Sequence, residues 1–218
     1  MTSPKTILIT GANRGIGYSI VQATAQRYPS YTYFLACRSL SSGQAAVTSL
    51  HALGITSKLD VLELDVTSNS SILAAAEYIK TTYGHLDILV NNAGIAYTHK
   101  DDLNDLRESY NNILNTNVTS ITALTSALLP LLHASPSASQ KVINISSGRA
   151  SLQNSVNGNL PSTSVIAYSV SKVALNALTI EMQKGEKGAV EYFAVNPGHC
   201  KTEFNGFRGE KDPLDGAE

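Results

Sequence analysis

The chain has 218 residues, 43% of them hydrophobic and 15% charged, which suits one globular domain and excludes a disordered or fibrous protein. Against 17 Asp and Glu, 16 Lys and Arg leave a formal net charge of −1, so no basic excess is offered to nucleic acid or to an anionic membrane. Two cysteines, Cys37 and Cys200, are too few for a disulfide scaffold and lack metal-ligand spacing. No stretch approaches the ~18 apolar residues of a membrane span, and the N-terminus carries no apolar signal-peptide core, so a cytoplasmic location is expected.

Thr6 to Ile9 is a short apolar run that ends at a glycine-rich turn. Apolar positions from Ile16 to Tyr28 recur with a helical period, and Pro29 stops them. Tyr31 to Ala36 is β-rich. Ser41 to Leu53 reads as a helix that Ser41 or Ser42 could cap and that Gly54 follows. Leu59 to Leu64 alternates as a strand, and Ser70 to Tyr83 is a helix ended by Gly84. Leu86 to Val90 is continuously apolar, as in a parallel strand covered on both faces. A long helix over Asp105–Leu132, a strand at Val142–Ile145, a helix at Ile166–Met182 and a strand at Val190–Val195 complete the order. Residues 134–140 form a polar connection, and residues 148–165 a longer irregular one.

Six strands alternating with helices predict βαβ units with right-handed crossovers. The expected fold is a single domain over 1–218: a doubly wound, Rossmann-like parallel sheet in three layers, α/β/α, with strand order 3-2-1-4-5-6. Ligands of such sheets lie beyond the carboxyl ends of the strands. The segments after each strand therefore carry the chemistry.

The first of these is Thr10-Gly11-Ala12-Asn13-Arg14-Gly15-Ile16-Gly17. Glycines let the backbone turn tightly and let a pyrophosphate come close, and free N–H groups at a helix start favour the anion. At the end of strand two, a carboxylate that would hold a ribose 2′-hydroxyl is missing; Cys37 and Arg38 stand there instead. Arg38, with Arg14 in the turn, could pair with a 2′-phosphate, so NADP(H) is expected over NAD(H). Asp65-Val66 ends strand three, where the carboxylate could accept from an adenine amino group or cap the following turn. Asn91-Asn92-Ala93-Gly94 ends strand four, with small residues that leave room for a cofactor.

Ser147 follows strand five, and Tyr168 and Lys172 stand at i, i+4 on one helix face. An ammonium beside a phenol favours the phenolate and lowers the phenol's pKa, which suits acid–base work. A carbonyl accepting hydride becomes an alkoxide; Tyr168 can supply its proton and Ser147 a second hydrogen bond. Lys172 could also hold ribose hydroxyls.

Together, TGANRGIG (10–17), Asp65, NNAG (91–94), Asn117, NISS (144–147), YSVSK (168–172) and PGHCKT (197–202) resemble the short-chain dehydrogenase/reductase family. Residues 35–47 look like those of its NADPH-dependent carbonyl reductases. The resemblance implies reduction of a ketone or aldehyde, with Ser147 polarising the carbonyl, Tyr168 as proton donor and Lys172 orienting ribose and tuning Tyr168. It implies Asn117 anchoring a relay water, and Pro197, Gly198 and Thr202 flanking the nicotinamide amide. It also implies a homodimer or homotetramer through the long helices, and a small-molecule carbonyl partner. Measured against the family pattern, the C-terminal end is short and the usual seventh strand missing, which leaves strand six as an edge; Glu218 resembles the start of a further helix. The 148–165 loop is longer than in relatives, and Tyr97, His99, Arg149, Gln153, His199 and Phe204 are candidate pocket residues. The rival expectation is a non-catalytic NADP(H)-binding sensor or an inactive truncated member.

Overall fold

The computed structural model describes residues 4–99, 102–186, 188 and 190–218. Six parallel strands form one sheet in the order β3-β2-β1-β4-β5-β6. They are β1 (Thr6–Thr10), β2 (Thr32–Cys37), β3 (Lys58–Glu63), β4 (Ile88–Asn91), β5 (Gln140–Ile145) and β6 (Val190–Val195). The expected strand order and the alternation of strands with helices are thus met. β1 is buried along its whole length because both faces of the sheet are covered. Leu8 points into a core it shares with Phe34, Ile79 and Leu128, whereas its neighbours Ile7 and Ile9 point into a second core with Val21, Tyr33 and Leu50.

The second core lies under α1 (Gly15–Arg27) and α2 (Leu40–Ala52), and the first under α3 (Asn69–Tyr83) and α5 (Ser120–His133). Ser39 caps α2, ahead of Ser41 and Ser42, because its hydroxyl is the one that accepts from Ser42 N–H. Gly84 ends α3 in the left-handed conformation that glycine adopts without strain.

The long helix is interrupted. α4 (Leu103–Leu114) passes into a π turn at Asn115–Thr119 before α5 resumes. The 148–165 connection holds a 3₁₀ turn (Gly148–Ala150) and a short helix, α6 (Leu152–Val156), before α7 (Ile166–Gly185).

β6 is an edge strand, as expected, with Phe193 and Val195 partly exposed. The Lys141 ammonium lies 5.1 Å from the Phe193 ring centroid and pairs with Glu191 on the same strand, so charge partly covers this edge. The residues after β6 do not trail away. Lys201 N–H donates to Lys211 C=O (2.8 Å), Asp212 caps α8 (Pro213–Ala217), and α8 packs on α1. That short helix starts at Pro213 rather than at Glu218, where a further helix was expected to start, because Asp212-Pro213 supplies the cap and the first helical position.

Candidate active site

A cavity of about 560 Å³ opens at the carboxyl ends of β1 to β4 and reaches α7. Its floor is the glycine turn. Gly11 (φ 64°) and Gly15 (φ 56°) adopt backbone conformations that side chains disfavour. Gly17 does not line the cavity; it lets the first turn of α1 close on the loop, since a Cβ there would stand 2.4 Å from Gly11 C=O. Asn92 fixes the same turn from β4, its amide donating to Thr10 C=O (2.8 Å) and Gly11 C=O (3.3 Å). Thr10 returns the contact by accepting from the N–H groups of Asn92 and Ala93. Gly11, Asn13, Arg14, Gly15 and Ile16 all line the cavity, as do Asn92, Ala93 and Gly94.

Cys37, Arg38, Asp65 and Val66 line its far end. Asp65 takes the second of its two expected roles: its Oδ1 accepts from the N–H (2.9 Å) and hydroxyl (2.7 Å) of Thr67. Those bonds hold its carboxyl below the ordinary range, and the Arg38 guanidinium adds to the effect. Arg14 is spoken for as well. Its Nη1 lies 2.8 Å from Glu203 Oε2, across the cavity mouth.

At the α7 end stand Tyr168 and Lys172, one helical turn apart and both on the cavity wall. Lys172 is only 4% exposed, and its ammonium donates to Ile145 C=O at 2.6 Å. Burial pulls its pKa down to about 8. Its nitrogen lies 5.6 Å from the Tyr168 ring centroid. The expected lowering of the Tyr168 pKa is not what the structure gives. Burial pushes the phenol above its ordinary value, and a hydrogen bond with Ser147 and the charge of Arg149 pull against that without overcoming it.

Ser147 begins the 3₁₀ turn after β5, and its Oγ accepts from Arg149 N–H at 3.3 Å. Its neighbour Ser146 is turned away, donating to Asn176 Oδ1 at 2.6 Å. Asn117 lies in the π turn, fully buried, and clamps Ile95: its Oδ1 accepts from Ile95 N–H and its Nδ2 donates to Ile95 C=O, each at 2.9 Å. The second amide hydrogen goes to Ser171 Oγ at 3.0 Å, which ties the β4 loop to α7. The helical period runs through the π turn without a break, and the local signal for it is the polar run Asn115-Thr116-Asn117 between Leu114 and Val118.

Thr202 lines the cavity, but Pro197 and Gly198 do not. They pack instead on the C-terminal return, where a Cβ on Gly198 would lie 3.2 Å from Lys211 Cδ and one on Gly216 3.0 Å from Pro197 C=O. Of the candidate pocket residues, Tyr97 and Phe204 line the wall; His99, Arg149, Gln153 and His199 do not. Phe204 tilts against Tyr168 with ring centroids 5.7 Å apart. Arg149 binds Pro161 C=O, and Gln153 binds Asn157.

An elongated ligand with anionic groups fits this cavity. A glycine turn at a helix start faces its middle, arginines flank it, and an acid–base pair closes one end. Comparison with known proteins points the same way. The short chain dehydrogenase family model matches residues 5–213. A short-chain dehydrogenase/reductase of Aspergillus fumigatus is 39% identical over 230 residues, covering 100% of this chain and 87% of that protein. Mouse carbonyl reductase [NADPH] 1 is 28% identical over 251 residues, covering 97% and 87%. The NADPH-bound carbonyl reductase from chicken fatty liver is 30% identical, with a TM-score of 0.80 and coverage of 97% of this chain and 82% of that one.

Proposed function

The chain belongs to the short-chain dehydrogenase/reductase family, and from that premise we propose that it is an NADPH-dependent reductase of a ketone or aldehyde carbonyl. One observation carries the reading: Tyr168 and a nearly waterless Lys172 share a cavity with the glycine turn. When bound, NADPH supplies the hydride that passes from its nicotinamide to the carbonyl carbon.

The residues divide the remaining work. Gly11, Asn13, Gly15 and Ile16 receive the pyrophosphate at the start of α1, and Gly17 keeps that turn tight. Arg38 and Arg14 meet the 2′-phosphate. Asp65, through its Thr67 turn, and Val66 shape the adenine end. Ala93, Gly94 and Thr202 border the nicotinamide half, with Pro197 and Gly198 supporting Thr202 from behind. Lys172 holds ribose hydroxyls. Asn117 is a positioning residue that sets Ile95 and Gly94; a relay water, as in the family pattern, would be held by the main chain of the π turn.

At the carbonyl, Ser147 Oγ already accepts from Arg149 N–H, which leaves its own proton to donate to the substrate oxygen. Tyr168 gives its hydroxyl proton to the same oxygen as negative charge develops there. Burial holds the phenol above its ordinary value, so it has a proton to give in that step. The Lys172 ammonium then lowers the cost of the phenolate left behind. Tyr168→Phe should cut turnover with a panel of aldehydes and ketones by about 10²–10⁴-fold, with NADPH binding largely kept. Near-normal turnover would remove Tyr168 from this role.

A further inference from the structure

Arg14 cannot serve a phosphate and Glu203 at once without bringing two anions together. Its guanidinium is held 2.8 Å from the Glu203 carboxylate, a residue 189 positions away that reaches the cavity from the turn after β6. The contact is built rather than incidental. Glu203 sits between two residues that are themselves fixed against the site. On one side, Thr202 approaches the glycine turn: a Cβ on Gly15 would lie 3.6 Å from Thr202 Cβ. On the other, Phe204 rests on Tyr168. Thr202 and Asn205 also cap the 3₁₀ turn (Glu203–Asn205) reciprocally. The backbone that carries the carboxylate is therefore fixed on both sides, while the Glu203 side chain itself stays more than half exposed.

Resting on the cofactor reading above, we propose that Glu203 is a specificity-determining residue that opposes the 2′-phosphate by competing for Arg14. A phosphorylated cofactor must either draw Arg14 off Glu203 or do without the second arginine. NADH carries no 2′-phosphate and leaves the pair intact. Glu203 thus narrows the preference that Arg14 and Arg38 create. Both side chains are more than half exposed, so the competition is modest.

The test is a double-mutant cycle on cofactor binding, read by the dissociation constants of NADPH and NADH for the whole chain. Glu203→Gln should tighten NADPH by about two- to fivefold, the range set by an exposed ion pair, and leave NADH unchanged. In an Arg14→Gln background the same change should do nothing, since the group competed for is gone. An unchanged NADPH-to-NADH ratio in Glu203→Gln overturns the inference, as does an equal gain with and without Arg14, while the cofactor reading stands. Wild-type protein that binds NADH as tightly as NADPH overturns both.

Discussion

Lys172 shows how one residue can burden stability and serve chemistry together. Removing an ammonium from water is costly, and the bond it donates to Ile145 C=O offsets only part of that. The outcome is a pKa near 8 rather than the ordinary 10.5. Two consequences run in opposite directions with pH. Below about 8 the charge is present, so the phenolate of Tyr168 is stabilised and reduction proceeds; as pH rises through about 8 the charge is lost, and kcat for NADPH-dependent reduction should fall. The folded-state pKa is depressed, so the unfolded chain binds more protons between 8 and 10.5, and this residue's destabilising effect fades over that window. Activity should thus decline from about pH 8 before any loss of folded protein. Turnover and circular dichroism measured on the same samples would check it, and a rate that stays flat to pH 10 would count against the assignment of Lys172.

Among the elements, the glycine turn and the π turn place the site by different means. The glycine turn works by close approach. A methyl at Gly17 would lie 2.4 Å from Gly11 C=O and 2.5 Å from the Asn92 amide, and the first of these is backbone that cannot give way cheaply. Gly17→Ala should therefore cost roughly 1–3 kcal/mol of stability and weaken NADPH binding, because α1 can dock only by deforming the loop that receives the phosphates. A melting curve and a binding titration test the two parts separately. The π turn works by surplus backbone: an extra residue in the helical ladder turns Asn117 inward, where its amide can clamp Ile95 and reach Ser171. A regular helix from 105 to 132, as the apolar spacing suggests, has no such insertion at this point.

For the whole molecule, the cavity is walled by segments from β1 to β4, from α7 and from the turn after β6, so a dinucleotide lying in it bridges most of the sheet. Saturating NADPH, at about 100 times its dissociation constant, should add about 2.7 kcal/mol to stability and raise the melting temperature by roughly 5–10 °C. NADH at the same concentration should raise it less; an equal shift would argue against a 2′-phosphate site at Arg38 and Arg14. The strand and helix segments, the glycine turn and the Tyr168–Lys172 pair could be read from the sequence because each rests on periodicity or spacing within about twenty residues, and the strand order followed from the way alternating strands and helices wind into a parallel sheet. The ion pair from Arg14 to Glu203, the choice of Thr67 by Asp65, the return of residues 201–217 onto α1 and the rise rather than fall of the Tyr168 pKa could not. Each depends on which groups the fold brings together and how much water it leaves around them, and neither burial nor distant proximity is written in local order. Sequence determined the scaffold and the types of group at the strand ends; tertiary structure decided which of those groups are free and in what state of charge.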